Sequence, residues 1–369
     1  MADALERGDA GAWARVASLA YGRVAAARLA RDVGGRQERG QTIAVFGATL
    51  GGSWKTPLAI ALAEALAERG VPVGFLAHGY LAPGGLAHGS LARRVGSPSL
   101  TDGRLVRASD DPGEVGDEAL LAARRLGALD VPVVIGRARD ASWPRLAGRC
   151  VVADGGPGPR RPSSLRLLAL DGPQPWGAGA CPPAGDLRAP PPALEASADR
   201  IIRIWDEMNA SAAGPNDVTY ALRLPEGLGG ASVGVITALA RPGRFLSALD
   251  RRGVRPALHL ELGDHAGPGA GRALEAMLAR LPRRPDVLLT TEKCAIWLAP
   301  RVAGVARLIV PCVLRPPASL IDALVVALGA LRWGGSHEVA TFSPSPIRSS
   351  DQRSPELVAP AEGRSRPPS

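Results

Sequence analysis

From Gln41 onward, short apolar runs alternate with longer stretches whose apolar residues recur at helical spacing. TIAVFG (42–47) predicts a buried strand, a glycine-rich turn follows, and PLAIALAEALAERG (57–70) predicts a helix stopped by Gly70. VPVGFL (71–76) predicts the next strand. Strand, loop, helix and strand within about 35 residues make a βαβ unit, which implies a parallel sheet. Further buried strands are predicted at 131–135 (VPVVI), 149–153 (RCVVA) and 165–170 (LRLLAL), with a Gly/Ser/Asp-rich loop or small excursion over 81–114. CPPAGDLRAPPP (181–192) breaks regular structure and places a domain boundary within 180–225. A second α/β stretch follows, with strands at 233–237, 257–262, 286–290 and 307–311 and helices from 242, over 269–281 and over 318–332. Residues 11–31 predict a helix with four arginines and no acid; the arginines spread over more than half the helical wheel, so a docked helix and a membrane-surface helix fit equally. The tail 341–369, with seven Ser and six Pro, is expected to be disordered.

The expected fold is therefore α/β, with two Rossmann-like α/β/α sandwich lobes of P-loop type and mainly parallel sheets. The divisions are a basic N-terminal helix (1–40), a nucleotide-binding lobe (41–180), a Pro-rich linker region (181–225), a second lobe (226–335) and a tail (336–369). The length of 369 residues suits two domains or one large one, and 46% hydrophobic residues suffice for a core. No 18-residue apolar window argues for a spanning helix, and Asp3, Glu6 and Asp9 argue against a secretory signal. Cys150, Cys181, Cys294 and Cys312 lie far apart without a CxxC pair, which suggests neither a zinc site nor a disulfide framework and suits a reducing cytoplasm.

Net charge is +9, yet only two of the 44 basic residues are lysines, Lys55 and Lys293. We read the excess as an Arg-rich solvated surface and expect no nucleic-acid partner; attraction to an acidic partner is the other reading. The rarity of lysine is the more useful observation. Arginine is a planar fork and lysine a compact point charge, so a site that needs the latter resists the exchange.

Five segments carry candidate chemistry. GATLGGSWKTP runs from Gly47 to Pro57 between a predicted strand and a predicted helix, the context of a phosphate-binding loop. In that reading the N–H groups of Gly51, Gly52 and Ser53 face phosphate oxygens, Lys55 reaches the β/γ-phosphates and Thr56 ligates Mg2+. The GxxxxGK[ST] pattern has glycine where this chain has Thr49 and Trp54, and a structural turn also explains the glycines. VGDE (115–118) places Asp117 and Glu118 before a helix, as catalytic carboxylates or as an N-cap pair. VVADGG (151–156) puts Asp154 at the carboxyl end of a strand, where a metal-coordinating Asp or an Asp-Gly turn belongs. GDHA (263–266) offers His265 as a base, an orienter of a base, or a turn residue. TTEKCA (290–295) holds the second lysine; an N-cap Thr and a first-turn Glu explain part of it, but not why Lys293 is not Arg.

Taken in order, GGSWKTP (51–57), VGDEALLAARR (115–125), VPVVIGRAR (131–139), VVADG (151–155), CPPAGDLR (181–188), ALARPGRF (238–245), LGDHA (262–266) and TTEKCA (290–295) resemble the tetraacyldisaccharide 4'-kinase family of the lipid A pathway. The similarity covers residues 15–332. It implies transfer of phosphate from ATP, with Mg2+, to the 4'-hydroxyl of a lipid-linked glucosamine disaccharide, in a cleft between two α/β lobes. It also implies a peripheral location on the cytoplasmic face of the bacterial inner membrane, with residues 11–31 touching lipid. By the same resemblance Lys55 and Thr56 are the phosphate-loop Lys and the Mg2+-ligating hydroxyl, Asp117 the catalytic Asp, His265 its dyad partner, Glu118 an acid near the metal, and Asp154 the first Asp of a motif that reads DDGLQH.

The departures from that pattern are Trp54 for the loop glycine, Gly155 for the second Asp, GPGP (156–159) for the rest of that motif, His78 for an Arg, and Cys294 for an Asp. An indole at position 54 is expected to block the β-phosphate or push the loop outward, so that Trp54→Gly would tighten nucleotide binding. These departures leave an alternative function, a catalytically impaired homologue that binds lipid or protein at the membrane.

Overall fold

The structure, a computed structural model, describes residues 11–30, 41–77, 103–136, 143–156, 164–263, 267 and 269–330. In chain order its elements are α1 (Ala12–Ala30), β1 (Thr42–Gly47), α2 (Lys55–Glu68), β2 (Val73–Ala77), β3 (Arg104–Val106), α3 (Pro112–Val115), α4 (Asp117–Leu126), β4 (Val133–Ile135), β5 (Cys150–Asp154) and β6 (Ser164–Asp171). There follow α5 (Pro191–Ala196), β7 (Arg200–Asp206), β8 (Val218–Leu222), β9 (Val233–Thr237), α6 (Pro242–Asp250), β10 (Leu258–Glu261) and α7 (Ala270–Ala279). The last are β11 (Val287–Thr291), α8 (Glu292–Ala295), β12 (Arg301–Val302), β13 (Val305–Val310), β14 (Cys312–Arg315) and α9 (Ala318–Ala330).

The strands form two sheets of mainly parallel pairing, as the βαβ pattern implies. The larger has the order β14-β8-β7-β6-β1-β5-β2-β4-β3 and the smaller β10-β9-β11-β13-β12. Among the described residues only the edge pairs β14–β8, β3–β4 and β12–β13 are antiparallel strand pairs. Every residue of β1 is buried, which is what a central parallel strand covered on both faces requires. Alternate side chains go to opposite sides. Ile43 and Val45 join a core with Leu58, Leu62 and Leu66 of α2 and Leu120 of α4, whereas Phe46 joins Leu168, Cys181 and Leu187 on the other face. The first of these cores continues into Val235 and Leu289 of the smaller sheet.

Residues 181–225, read from sequence as a linker region, carry α5, β7 and β8, and both strands pair within the larger sheet. Strand β14 returns from the second stretch to the same sheet, Cys312 opposite Leu222. Asp206 at the end of β7 binds Arg251 at 2.7 Å and Arg252 at 2.8 Å, just beyond α6. Burial alone would push its carboxyl up, but the hydrogen bonds from both arginines hold it at about 2. The described residues all fall in one compact unit spanning Met1–Gly334. The expected tail, and most of the expected excursion over 81–114, lie outside the described residues.

Candidate active site

The carboxyl ends of β1 and β5 and the N-termini of α2 and α4 meet at one place. Parallel pairing sets Val45 of β1 beside Asp154, the last residue of β5. The loop after β1 turns sharply back to start α2 at Lys55. Two glycines permit that turn. A Cβ at Gly47 would sit 2.0 Å from Ser53 Oγ, and Gly52, at φ 60°, would press one against the Arg241 side chain at 2.9 Å. The loop is tied to the segment before α5: Arg188 Nε donates to the Thr49 carbonyl at 2.9 Å, and Leu50 N–H to the Asp186 carbonyl at 2.9 Å.

Trp54 takes the left-handed conformation (φ 61°, ψ 1°) that glycine adopts readily. Its indole N–H donates to Asp171 Oδ1 at 2.8 Å, and its ring packs on Tyr220 with centroids 4.6 Å apart. Asp171 and Tyr220 belong to β6 and β8, on the opposite side of β1 from β5 and Asp154. The indole is thus docked away from the Lys55 side chain, not over it. Arg244 extends this support: it donates to the Gly52 carbonyl and lies 3.4 Å from Asp171.

Two opposed terms set the stability of this arrangement. The indole contacts contribute about 2 kcal/mol, half the usual cost of truncating a fully buried Trp, and the left-handed backbone of a residue with a Cβ costs about 1 kcal/mol. Trp54→Ala keeps the strain and is expected to lose about 2 kcal/mol, whereas Trp54→Gly relieves it and is expected to lose about 1 kcal/mol. Urea unfolding checks this; equal losses would show that position 54 carries no strain. With the indole on the Asp171 side, Trp54→Gly is also expected to leave nucleotide affinity within about threefold, which is less than 1 kcal/mol, instead of tightening it.

The charged cluster lies on the other side of β1. Lys55 Nζ donates to Thr56 Oγ1 at 3.0 Å and Glu118 Oε2 at 3.2 Å, and lies 3.5 Å from Asp154 Oδ1. Thr56 Oγ1 donates to Asp154 Oδ2 at 2.6 Å. Burial pulls the Lys55 ammonium down, but Asp154 and Glu118 more than offset it, so the group stays above its ordinary value and charged. Burial dominates at Arg188 and lowers its guanidinium, against the pull of Asp154.

Asp117 is 1% exposed at the first position of α4, where its Oδ1 accepts the Glu118 N–H at 2.8 Å. The preceding Gly116 has φ 86°, a turn that lets α3 end and α4 begin without a linker. Lys293 reaches across from α8, 3.5 Å from Glu118 Oε1 and 3.9 Å from Asp117 Oδ2. Thr291 caps α8, its Oγ1 accepting the Cys294 N–H at 3.3 Å. Cys294 is a buried packing group whose Sγ accepts from Ala238 N–H and Thr291 Oγ1, each at 3.1 Å, and burial raises its thiol.

The structure thus brings together Lys55, Thr56, Asp117, Glu118 and Asp154, with the loop residues Gly51, Gly52 and Ser53 alongside at the start of α2. His265 lies outside the described residues, as does His78. Gly155, the departure beside Asp154, has φ 135°, a conformation that a second Asp could adopt only under strain. Sequence reasoning assigned no role to Arg188, Arg241, Arg244 or Lys293. Arg241 is 6% exposed and paired with Asp186, so its charge is spent within the loop scaffold. Among the described residues no three His, Cys, Asp or Glu side chains converge as a metal cluster. The available hard oxygens are the Thr56 hydroxyl and the Asp154 and Glu118 carboxylates. That set suits Mg2+, which uses one or two carboxylates and fills its other positions with water and phosphate oxygens.

The comparisons with known proteins agree with one another. The profile of the family described as Tetraacyldisaccharide-1-P 4'-kinase matches residues 11–328. A tetraacyldisaccharide 4'-kinase of Methylobacterium radiotolerans is 33% identical over 312 residues, covering 78% of this chain and 85% of the relative. One from Alkalilimnicola ehrlichii is 33% identical over 297 residues, covering 76% and 80%. The crystal structure of apo-form LpxK from Aquifex aeolicus in complex with ATP superimposes with a TM-score of 0.57 at 18% identity, covering 84% of this chain and 96% of that one. This chain belongs to the tetraacyldisaccharide 4'-kinase family.

Proposed function

We propose that this protein transfers the γ-phosphoryl group of ATP to the 4'-hydroxyl of a tetraacyldisaccharide 1-phosphate, a step of lipid A biosynthesis. Family membership supports the activity, and the observation that carries the site is the convergence of Lys55, Thr56, Glu118, Asp154 and Asp117 at the ends of β1 and β5.

The N–H groups of Gly51, Gly52 and Ser53 and the N-terminus of α2 attract the triphosphate, and the Lys55 ammonium leaves its carboxylates to pair with phosphate oxygens. Thr56, Asp154 and Glu118 are the residues that would hold Mg2+, which when bound neutralises charge on the transferring phosphate. Asp117 accepts the proton of the 4'-hydroxyl as its oxygen bonds to phosphorus and ADP departs, with His265 as its orienting partner. Residues 41–180, with β7, β8 and β14, serve as the nucleotide-binding lobe, and the smaller sheet serves as the second lobe.

The protein works at a membrane surface, on the cytoplasmic face of the inner membrane. No helix among the described residues is long and apolar enough to cross one. Helix α1 packs through a narrow stripe of small residues, Ala14, Ser18 and Gly22, and leaves Trp13, Val16 and Leu19 at least 62% exposed. Exposed apolar side chains beside Arg15 and Arg23 suit an anionic interface. The alternative of an impaired homologue drew on Trp54 and Gly155, and the docked indole removes the first of these supports.

The test is transfer of label from γ-labelled ATP to the disaccharide 1-phosphate acceptor in anionic vesicles. The expected result is Mg2+-dependent transfer by wild type, and weaker vesicle flotation for Trp13→Ser. Transfer no faster than by Lys55→Ala would reject the kinase reading.

A further inference from the structure

The only two lysines of this chain meet on one carboxylate. Lys55, from α2, takes Glu118 Oε2 at 3.2 Å, and Lys293, from α8, lies 3.5 Å from Glu118 Oε1. Lys293 also stands 3.9 Å from Asp117 Oδ2. The two ammonium groups come from different sheets, since α8 continues directly from β11 of the smaller one.

Simple docking of α8 on α4 does not require this second contact. Arg125, at the far end of α4, already pairs with Glu292 at 3.3 Å and with Glu64 at 2.9 Å. Arg125 lies eight residues, about 12 Å, along the helix from Asp117. The Lys293 contact has the opposite polarity and falls on the two carboxylates to which the kinase reading gives chemistry.

We infer that Lys293 is a positioning residue of the phosphotransfer site: from the smaller sheet it holds Glu118 and Asp117 in place when Lys55 turns from Glu118 to the triphosphate. The inference rests on the kinase reading. It also accounts for the residue type. A guanidinium at 293 would grip both Glu118 oxygens as a fork, whereas an ammonium takes one and leaves Oε2 available. In a chain that uses arginine for 42 of its 44 basic residues, that difference explains a retained lysine.

The experiment compares wild type, Lys293→Met, Lys293→Arg and Arg125→Met by kcat, KM for ATP, ATP affinity from tryptophan fluorescence, and thermal midpoint. Lys293→Met is expected to lower kcat about 30- to 100-fold, with ATP affinity within about threefold of wild type. Lys293→Arg keeps the charge and the fold and is expected to lower kcat about tenfold. Arg125→Met cuts the other link between the same helices and is expected to keep kcat within about threefold while lowering the thermal midpoint at least as far as Lys293→Met. Wild-type kcat in either Lys293 variant overturns the inference alone, as do equal kcat losses in Lys293→Met and Arg125→Met. An inactive wild type overturns the kinase reading and the role of Lys293 with it.

Discussion

Replacing Lys55 by methionine is expected to lower kcat/KM for phosphotransfer by about 10²–10³-fold, the usual cost of removing one donor that meets developing transition-state charge. The size follows from where the ammonium sits. It is 17% exposed, in contact with two carboxylates and a hydroxyl, and charged because Asp154 and Glu118 outweigh the cost of burial. Methionine has nearly the same length and shape, so the comparison isolates the charge. It also leaves Asp154, 1% exposed, beside Glu118 without the cation between them. Loss of fold stability is therefore expected too, by about 3 kcal/mol, the low end for breaking a buried pair from one side. Lys55→Arg is the sharper variant. It keeps the charge, yet the guanidinium is too long and too flat for a pocket bounded by Thr56, Glu118 and Asp154, and it is expected to recover less than about a tenth of wild-type kcat/KM. Single-turnover transfer with labelled ATP, beside urea unfolding of each variant, separates the two effects. Full activity in Lys55→Arg would show that position 55 needs only a positive charge.

Most strands were legible because each is a short apolar run with a turn at its end. TIAVFG and VGVIT are strands β1 and β9 at the positions the pattern gives. The stretch 181–225 was harder. Its Pro-rich opening outweighed RIIRIWD, whose outer and inner positions roughly alternate along β7, and VTYAL, which is almost wholly buried as β8. Strand β14 had no local signal for its sheet: Cys312 pairs with Leu222, 90 residues earlier, and nothing in CVLR says which sheet it will join.

The site divides in the same way. Residue types that carry a charge at a strand end or a helix start could be named from spacing. Their partners could not, because the contacts are long-range. Glu118 lies 63 residues from Lys55 and 175 from Lys293, so the scarcity of lysine marked two positions without joining them. Trp54 shows the limit most clearly. A large side chain in a phosphate loop implies crowding, but its effect depends on the direction of the ring. That direction is set by Asp171 and Tyr220, 117 and 166 residues away.

Asp117→Asn is expected to lower kcat by about 10²–10⁴-fold, the range for losing general-base action, with ATP affinity within about threefold of wild type. Asparagine preserves the shape and the Oδ1 acceptor that receives the Glu118 N–H, so the start of α4 is unaltered. What it loses is an oxygen able to accept the hydroxyl proton, and its NH2 group faces the Lys293 ammonium where a carboxylate oxygen stood 3.9 Å away. The split between kcat and affinity follows from position: Asp117 opens α4, whereas the proposed phosphate-binding groups belong to α2 and its loop. Asp117→Glu sharpens the test. It restores a carboxylate but extends it by one methylene from a site that is 1% exposed, and a displacement of this size is expected to cost about 10²-fold in kcat. Steady-state transfer with saturating acceptor and varied ATP measures both terms. If Asp117→Asn kept kcat within about tenfold of wild type, below the range for a base, the proton would have to leave by another group, and the convergence at the head of α4 would be structural.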